Sequence, residues 1–459
     1  MMRRPHPAPS ILRGHVLEVL RTLPEESVHC VVTSPPYWGL RAYGTEPQVW
    51  GGEPAHGHSW IATIPRRPRS PDDCPNSPLQ QGSKGTLFEA QGGELCPCGA
   101  WRGELGLEPT PELYVAHVAE VFDDVRRVLR SDGTLWLNLG DTYHTDSPVR
   151  HSSAEAFSPA WDPAQTRSRG GNRRRAARCG DLKPKDLAGI PWRVAFELQR
   201  RGWWLRSDCI WAKRNPMPEP TRDRPTHAHE YVFLLTKSRH YFYDAEAVRE
   251  PLQESSVRRL RHHLPNSADN PGYRSKHQRG DFRRFPMLAN TDPRRGRALR
   301  SVWWLATQPY RGAHFATFPE SLPEICIRAG TSERGACANC GRPWIRHIRV
   351  EGGGIGHDWH PVKSLELGRA QGIAAPGLND GTYRRIDLGF LKHCPCPTRK
   401  VVPCVVLDPF VGSGTVLAVA RRLGRRSLGI DLNPAYIELA RARSAADLGS
   451  VGPSGEATA

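Results

Sequence analysis

The segment that most restricts the fold lies near the C-terminus. Cys404-Val-Val-Leu-Asp408 is an apolar run of strand length, Pro409 to Gly414 forms a glycine-containing loop, and Thr415 to Leu423 has the spacing of an Ala-rich helix. A second strand, Ser427 to Asp431, and a helix from Pro434 follow. A strand, a tight loop, a helix and another strand in about thirty residues form a parallel crossover, and a parallel sheet has to be covered on both faces. The same alternation recurs upstream. Ile11 to Leu23 has helical spacing, and Ser27 to Thr33 reads as a buried strand. Pro111 to Leu129 predicts a helix, Ser131-Asp-Gly133 a turn, and Thr134 to Leu139 a strand. A helix around Ile190 to Arg201, strands Trp204 to Trp211 and Tyr231 to Thr236, and a periodic segment Pro319 to Ala329 complete the pattern. The expectation is an α/β fold on a parallel sheet.

Between these elements lie stretches without clear periodicity: residues 50–100, 146–181, 251–301 and 335–398. The chain has 459 residues, and its 43 glycines and 42 prolines suit an ordinary core interrupted by long insertions. Lys and Arg outnumber Asp and Glu by 64 to 47, a net charge of +17, which attracts a polyanion such as nucleic acid or an acidic membrane face. A generally basic proteome is the bland alternative. Residues 251–300 alone carry 12 Lys/Arg against 4 Asp/Glu, and Arg173, Arg174 and Arg175 stand in the Ser/Gly-rich stretch 146–181, which reads as a mobile basic loop. No apolar run reaches 18 residues and no signal-peptide pattern opens the chain, so a soluble, cytoplasmic protein without a membrane partner is expected.

Two strand-end loops carry the chemistry. Asp408-Pro-Phe-Val-Gly-Ser-Gly-Thr415 has glycines at 412 and 414 that allow close backbone approach to a ligand, with a helix N-terminus beyond. It lacks the lysine of a phosphate-binding P-loop and the spacing of a dinucleotide fingerprint. Asp431, closing the next strand, suits a ribose diol, so an adenosine-bearing cofactor fits the pair. A tight turn at the glycines and a helix cap at Asp431 are the structural alternatives. Thr33-Ser-Pro-Pro-Tyr-Trp38 ends the first strand, and its two prolines hold an extended backbone that offers carbonyl acceptors beside an aromatic face. That combination suits the amine and ring of a flipped base. A rigid turn or a polyproline ligand would also explain it.

Taken together and in this order, the two loops resemble the amino-group DNA methyltransferases of the beta arrangement, in which the catalytic motif precedes the S-adenosylmethionine motif. The resemblance implies a circularly permuted Rossmann-like methyltransferase sheet with inserted Cys-rich zinc-binding and basic DNA-recognition segments. It implies a catalytic half over residues 10–250, a basic target-recognition segment over 251–301, a cofactor-binding half over 302–445 and a disordered tail over 446–459. Ser34, Pro35, Pro36 and Tyr37 would serve catalysis, Asp408, Phe410, Gly412 and Gly414 the methionine part of S-adenosylmethionine, and Asp431 its ribose. His314, in His-Phe-Ala-Thr-Phe-Pro319, looks like a further cofactor-binding position, with core packing as the alternative. Gly14-His15 departs from the family's Gly-Asp, which leaves Glu18 as the available carboxylate. The implied reaction is direct methyl transfer to the amino nitrogen of a flipped base in double-stranded DNA, within a restriction-modification system that has a cognate endonuclease. Ser34 at the head of the loop resembles the cytosine-N4 group more than the adenine-N6 group. An RNA methyltransferase, or a zinc-dependent DNA-binding protein without catalysis, are the competing readings.

Twelve cysteines in a reducing compartment point to metal more than to disulfides. Cys337-Ala-Asn-Cys340 and Cys394-Pro-Cys396 supply four thiolates in two pairs, the donor set of a structural zinc ribbon, with reduced surface thiols as the alternative. His56, His58, Cys96 and Cys98 form a second candidate, with Cys74 as the alternative to one histidine. Cys30, Cys179, Cys209, Cys326 and Cys404 stand singly, and His227-Ala-His229-Glu230 lacks the spacing of a zinc helix.

Overall fold

The computed structural model describes residues 9–40, 43–53, 56–62, 93–144, 181–255, 296–308, 317–351 and 384–446. His314, Cys74, Cys179, Arg173, Arg174 and Arg175, most of the basic segment 251–301, nearly all of the 146–181 loop and the tail beyond 446 lie outside them. The chain divides into two compact units, one of Met1–Phe242, Ser301–Ile327 and Cys404–Ala459, the other of Tyr243–Arg300 and Arg328–Pro403.

The first unit is built on an eight-stranded sheet. In chain order its strands are β1 (Ser10–Arg13), β2 (Val28–Thr33), β3 (Leu129–Leu139), β4 (Trp204–Lys213), β5 (His229–Thr236), β6 (Val302–Leu305), β7 (Val405–Asp408) and β8 (Arg426–Asp431), and in space they run β1-β8-β7-β2-β3-β5-β4-β6. Helices α1 (Val16–Thr22), α2 (Pro111–Val128), α3 (Ile190–Arg200), α4 (Ser321–Gly330), α5 (Thr415–Arg422) and α6 (Pro434–Ala446) connect or follow them. All six residues of β2 are buried, as expected of a central parallel strand covered on both faces. α2 starts at Thr110, whose side chain accepts from the Leu113 N–H at 3.2 Å, with Pro111 in the first turn. It buries Val118, Phe122 and Val125 in the same core as Val31, Leu135, Leu137, Phe233 and Leu407.

Three expectations need correction. Ser131–Gly133, expected as a turn, lies within β3, where the pairing with β2 shifts register between Val28↔Leu129 and Cys30↔Thr134. The helical spacing read from Ile11 to Leu23 covers two elements: Ser10–Arg13 pairs in parallel with β8, and the helix starts only at Val16. Gly14, at φ +151°, makes the break. The sheet is also mixed and not wholly parallel, because β5 runs antiparallel to both β3 and β4. β4 and β5 are consecutive and return on each other without a crossover helix, which only antiparallel pairing permits.

The ends of the 50–100 insertion are ordered as a four-stranded sheet of Gln48–Trp50, Trp101–Gly103, Glu94–Leu95 and Ile61–Ala62. Trp50, read as the start of the insertion, and Trp101, just beyond it, belong to the core and stack on His117 of α2. In the second unit, Ile345–Glu351 pairs with Arg384–Leu391 as an antiparallel ribbon, and Ala336–Cys337 pairs with Val401–Val402. Among the described residues no helix is long and apolar enough to cross a membrane.

Candidate active site

β7 and β2 are parallel neighbours, with Val406 opposite Cys30 and Leu407 opposite Val31. Their C-terminal ends are therefore level, although more than 370 residues separate them in sequence. Thr33 Oγ1 donates to Asp408 Oδ1 at 2.7 Å, and the Phe410 N–H donates to the same oxygen at 3.1 Å. Burial pushes the Asp408 carboxyl up to about 7, with the Asp431 charge adding to the rise and the Thr33 and Phe410 bonds opposing it.

This raised value has a consequence for stability. Asp408 keeps its proton to higher pH in the fold than in the unfolded chain, so its favourable contribution is complete below about pH 4 and is lost as pH rises through about 7. Asp408→Asn keeps the acceptor oxygen and removes the titration. Denaturation of cofactor-free protein between pH 4 and 8 should therefore show the variant gaining on the wild type by up to about 4 kcal/mol, at about 1.36 kcal/mol per pK unit. Parallel stability profiles would disprove the assignment.

The glycine loop is tied to the next strand. Asp431 accepts from the Gly412 N–H at 2.9 Å through one oxygen and from the Asn433 N–H at 2.9 Å through the other. The Leu432 N–H also bonds to this carboxylate, which leaves lone-pair capacity for a further donor such as a ribose hydroxyl. Gly412 lies at φ +48°, and a Cβ built there would find nothing nearer than the Phe410 carbonyl at 3.9 Å. The loop therefore has an open cradle on that side. Gly414, at φ +77°, is different: a Cβ there would lie 2.7 Å from the Ala440 Cα, so this glycine serves helix packing.

The Ser34-Pro-Pro-Tyr37 loop is held by residues that sequence reading missed. The Tyr37 phenol lies 2.7 Å from Glu230 Oε2 and 3.1 Å from Asn138 Oδ1, and it accepts from Ser34 Oγ at 3.0 Å. Asn138 Nδ2 donates to Glu230 Oε2 at 3.1 Å, and Lys213 pairs with the other Glu230 oxygen at 2.7 Å. Burial, and then the Glu230 charge, push the Tyr37 phenol well above its ordinary range, so it stays neutral. The ring itself needs Gly140, where a Cβ would come within 2.6 Å of Tyr37 Cε2. The two prolines are not equivalent, because the Pro36 carbonyl accepts from Tyr114 Oη at 2.8 Å. Position along the strands was the available signal for Asn138 and Glu230: Asn138 stands near the C-terminal end of β3, the neighbour of β2, and Glu230 at the start of β5, which runs antiparallel to β3 and so begins at the same edge of the sheet. His227 and His229 stack on each other at 4.6 Å, leaving Glu230 as the member of that motif that reaches the loop.

His15, where the resemblance leads one to expect an acid, is buried edge-on against Trp50 at 4.5 Å, and burial lowers its pKa. Glu18 is exposed on α1.

With two strand-end loops joined through a buried hydrogen bond, the comparison with known proteins becomes specific. The DNA methylase family N6_N4_Mtase matches residues 28–338 and 404–442, most of the chain and both loops. The chain belongs to this DNA methylase family. The methylase is 32% identical over 448 residues to type II methyltransferase M.XycI of Xanthomonas campestris pv. cyanopsidis, covering 95% of this chain and 90% of that protein. It is 30% identical over 436 residues to type II methyltransferase M.Cfr9I of Citrobacter freundii, covering 94% and 86%. Among solved structures it is similar to the cytosine-N4-specific PvuII DNA methyltransferase, with 14% identity, coverage of 96% and 87%, and a TM-score of 0.43.

Both cysteine groups of the methylase form clusters. In the second unit the sulfurs of Cys337, Cys340, Cys394 and Cys396 all lie within 4.8 Å of one another. The Gly341 N–H donates to the Cys337 carbonyl at 2.9 Å, closing the knuckle turn. Amide N–H groups of Cys340 and Asn339 pull the Cys337 thiol down to about 6, which favours the thiolate a metal requires. In the first unit, ligand atoms of His56, Cys96 and Cys98 lie within 4.8 Å of one another, and His58 Nδ1 is 3.5 Å from Cys98 Sγ. Cys30, Cys209, Cys326 and Cys404 are buried single thiols, and burial raises Cys30 to about 12.

Proposed function

We propose that the methylase transfers a methyl group from S-adenosylmethionine to the exocyclic amino nitrogen of a base flipped out of double-stranded DNA, and that this base is cytosine, methylated at N4. The observation that carries the reading is the Thr33–Asp408 hydrogen bond, which puts the start of the Pro-Pro-Tyr loop beside the start of the glycine loop. A donor held on one loop and an acceptor on the other would then meet without further rearrangement. The open backbone at Gly412 and the remaining lone-pair capacity of Asp431 fit the methionine and ribose parts of the cofactor, with Asp408, Phe410 and Gly414 completing that loop. When bound, S-adenosylmethionine supplies a methyl group on a sulfonium, already a good leaving group.

The chain's own residues would prepare the nucleophile. Ser34 donates its proton to Tyr37, so its lone pairs are left to accept from an amine. The Pro35 carbonyl is the second acceptor, because Pro36 is committed to Tyr114. Two acceptors polarise the amine N–H bonds and favour a pyramidal nitrogen. Tyr37, anchored through its hydroxyl, presents its ring to the base. Ser34 at the head of the loop is the ground for preferring cytosine. Arg173, Arg174 and Arg175 and the basic segment 251–301 would hold phosphates, His314 would cover the cofactor, and kinship with type II methyltransferases supports a companion endonuclease. The division into a catalytic half over 10–250 and a cofactor half over 302–445 belongs to this reading. A DNA-binding protein without catalysis would leave the tether on Tyr37 without a purpose.

Expression in a methylation-free host followed by modification-sensitive sequencing is expected to return N4-methylcytosine within one defined motif. N6-methyladenine would change the target base, and an unmodified genome would refute the activity.

Cys337, Cys340, Cys394 and Cys396 would hold a structural zinc, since four protein thiolates leave no open position for substrate. A Cys337→Ser/Cys340→Ser variant is expected to lose one zinc per chain by elemental analysis and to become protease-sensitive within residues 335–398. Unchanged zinc content would remove the site.

A further inference from the structure

We propose that His56, His58, Cys96 and Cys98 bind a second zinc ion, and that this ion holds the loop carrying Ser34 to Tyr37 in its working position. Ile61–Ala62 pairs with Glu94–Leu95, which brings the segment before Ile61 alongside the turn Cys96–Gly99. Ligand atoms of His56, Cys96 and Cys98 lie within 4.8 Å of one another, and His58 reaches Cys98. The His58 and Cys98 ligand atoms are 3.5 Å apart. A tetrahedral zinc with Zn–S of about 2.3 Å and Zn–N of about 2.05 Å separates sulfur from nitrogen by about 3.6 Å. His56 and Cys96 supply the remaining corners, with Cys96 in a tight turn where its N–H donates to the Ala100 carbonyl at 2.8 Å and its carbonyl accepts from Gly99 at 2.9 Å. Two thiolates and two neutral imidazoles balance the charge of a divalent ion and fill its coordination sphere, so the site is structural.

The sheet that carries these ligands is also what grips the loop. Its strands are two or three residues long, too short to be stable by pairing alone. Directly after the strand Trp101–Gly103, three residues reach the segment that follows the two prolines. Glu104 accepts from the Tyr43 N–H at 2.8 Å, the Gly106 carbonyl accepts from the Gly39 N–H at 2.8 Å, and the Glu108 carbonyl accepts from Trp38 Nε1 at 2.9 Å. A Cβ at Gly106 would sit 3.0 Å from the Tyr37 carbonyl, so the backbones are in close contact there. An ion that closes the long interval between His58 and Cys96 would fix this sheet, and through Glu104 to Glu108 the loop. The metal site stands on its own geometry, while its effect on turnover rests on the assignment of the Ser34–Tyr37 loop to catalysis.

The test uses the full-length protein. Elemental analysis is expected to give two zinc ions per chain, one lost in Cys96→Ser/Cys98→Ser and the other in Cys337→Ser/Cys340→Ser. Cobalt reconstitution of the Cys337→Ser/Cys340→Ser variant should give the absorption of a two-thiolate, two-imidazole site, with weaker thiolate charge-transfer bands than the four-thiolate site alone. Cys96→Ser/Cys98→Ser should lower kcat at least about tenfold, with S-adenosylmethionine affinity by calorimetry within about twofold of wild type, because Gly412 and Asp431 depend on β7 and β8. If the double variant fails to fold, His58→Ala retains three ligands and is expected to release zinc to a chelator faster than wild type, with kcat falling in step. Zinc content or release unchanged by these substitutions would overturn the site. Loss of one zinc with kcat unchanged would overturn its effect on the loop. A wild type with two zinc ions and no transfer to DNA would refute the methyltransferase reading while the zinc counts still support the site.

Discussion

Tyr37→Ala is expected to cut kcat by about a hundredfold or more, with DNA affinity and S-adenosylmethionine affinity both within about threefold of wild type. The expectation follows from how the side chain is held. Its hydroxyl lies within hydrogen-bonding distance of Glu230, Asn138 and Ser34, and its ring fits over Gly140. Removing the ring removes both the stacking surface and the group that fixes Ser34, and misplacement of about 1 Å at a reacting centre costs on the order of a hundredfold. Tyr37→Phe separates the two contributions. It keeps the ring and leaves Glu230, Asn138 and Ser34 without their shared partner, so an intermediate loss of kcat at unchanged KM is expected. Single-turnover methylation of a duplex containing the recognised motif reads both variants. A wild-type rate in Tyr37→Ala would take the loop out of the chemistry.

Gly412→Val is expected to weaken S-adenosylmethionine binding by about a hundredfold or more in a protein that still folds. A Cβ at 412 lies 3.9 Å from its nearest protein atom, the Phe410 carbonyl oxygen, so a side chain there starts in the open cradle and not in the core. The positive φ costs an L-residue about 1–2 kcal/mol, which a domain of this size should survive. Gly414→Ala is the control, because its Cβ would press on the Ala440 backbone at 2.7 Å and should destabilise the α5–α6 packing. Calorimetric titration with cofactor and thermal denaturation, run on both variants, distinguish a filled pocket from a damaged fold. Unchanged affinity in folded Gly412→Val would place the cofactor elsewhere.

Six of the eight strands of the large sheet, the two loops and the close cysteine pairs were legible in the amino-acid sequence because each is a local signal. An apolar run of six, a Pro-Pro-Tyr triplet, glycines two apart and Cys-x-x-Cys all act over a few residues, and short-range sterics decide what they form. Local spacing also misled. The apolar spacing across Ile11–Leu23 reads as one helix because a short strand and a helix can share a periodicity, and only pairing of Ser10–Arg13 with β8 separates them. The same limit concealed the antiparallel course of β5, since the direction of a strand depends on the strand it meets.

What only the tertiary structure decided is who stands beside whom. The spatial order β1-β8-β7-β2-β3-β5-β4-β6 brings Thr33 to Asp408 and Tyr37 to Asn138 and Glu230, and nothing in the local residues encodes those meetings. It also gives the Pro36 carbonyl a hydrogen bond from Tyr114, which distinguishes it from Pro35 in a way that two adjacent prolines cannot carry by themselves. The physical reason is that strand pairing and core packing are long-range contacts, selected by burial of the whole sheet, whereas the chemistry of each loop belongs to the few residues that form it.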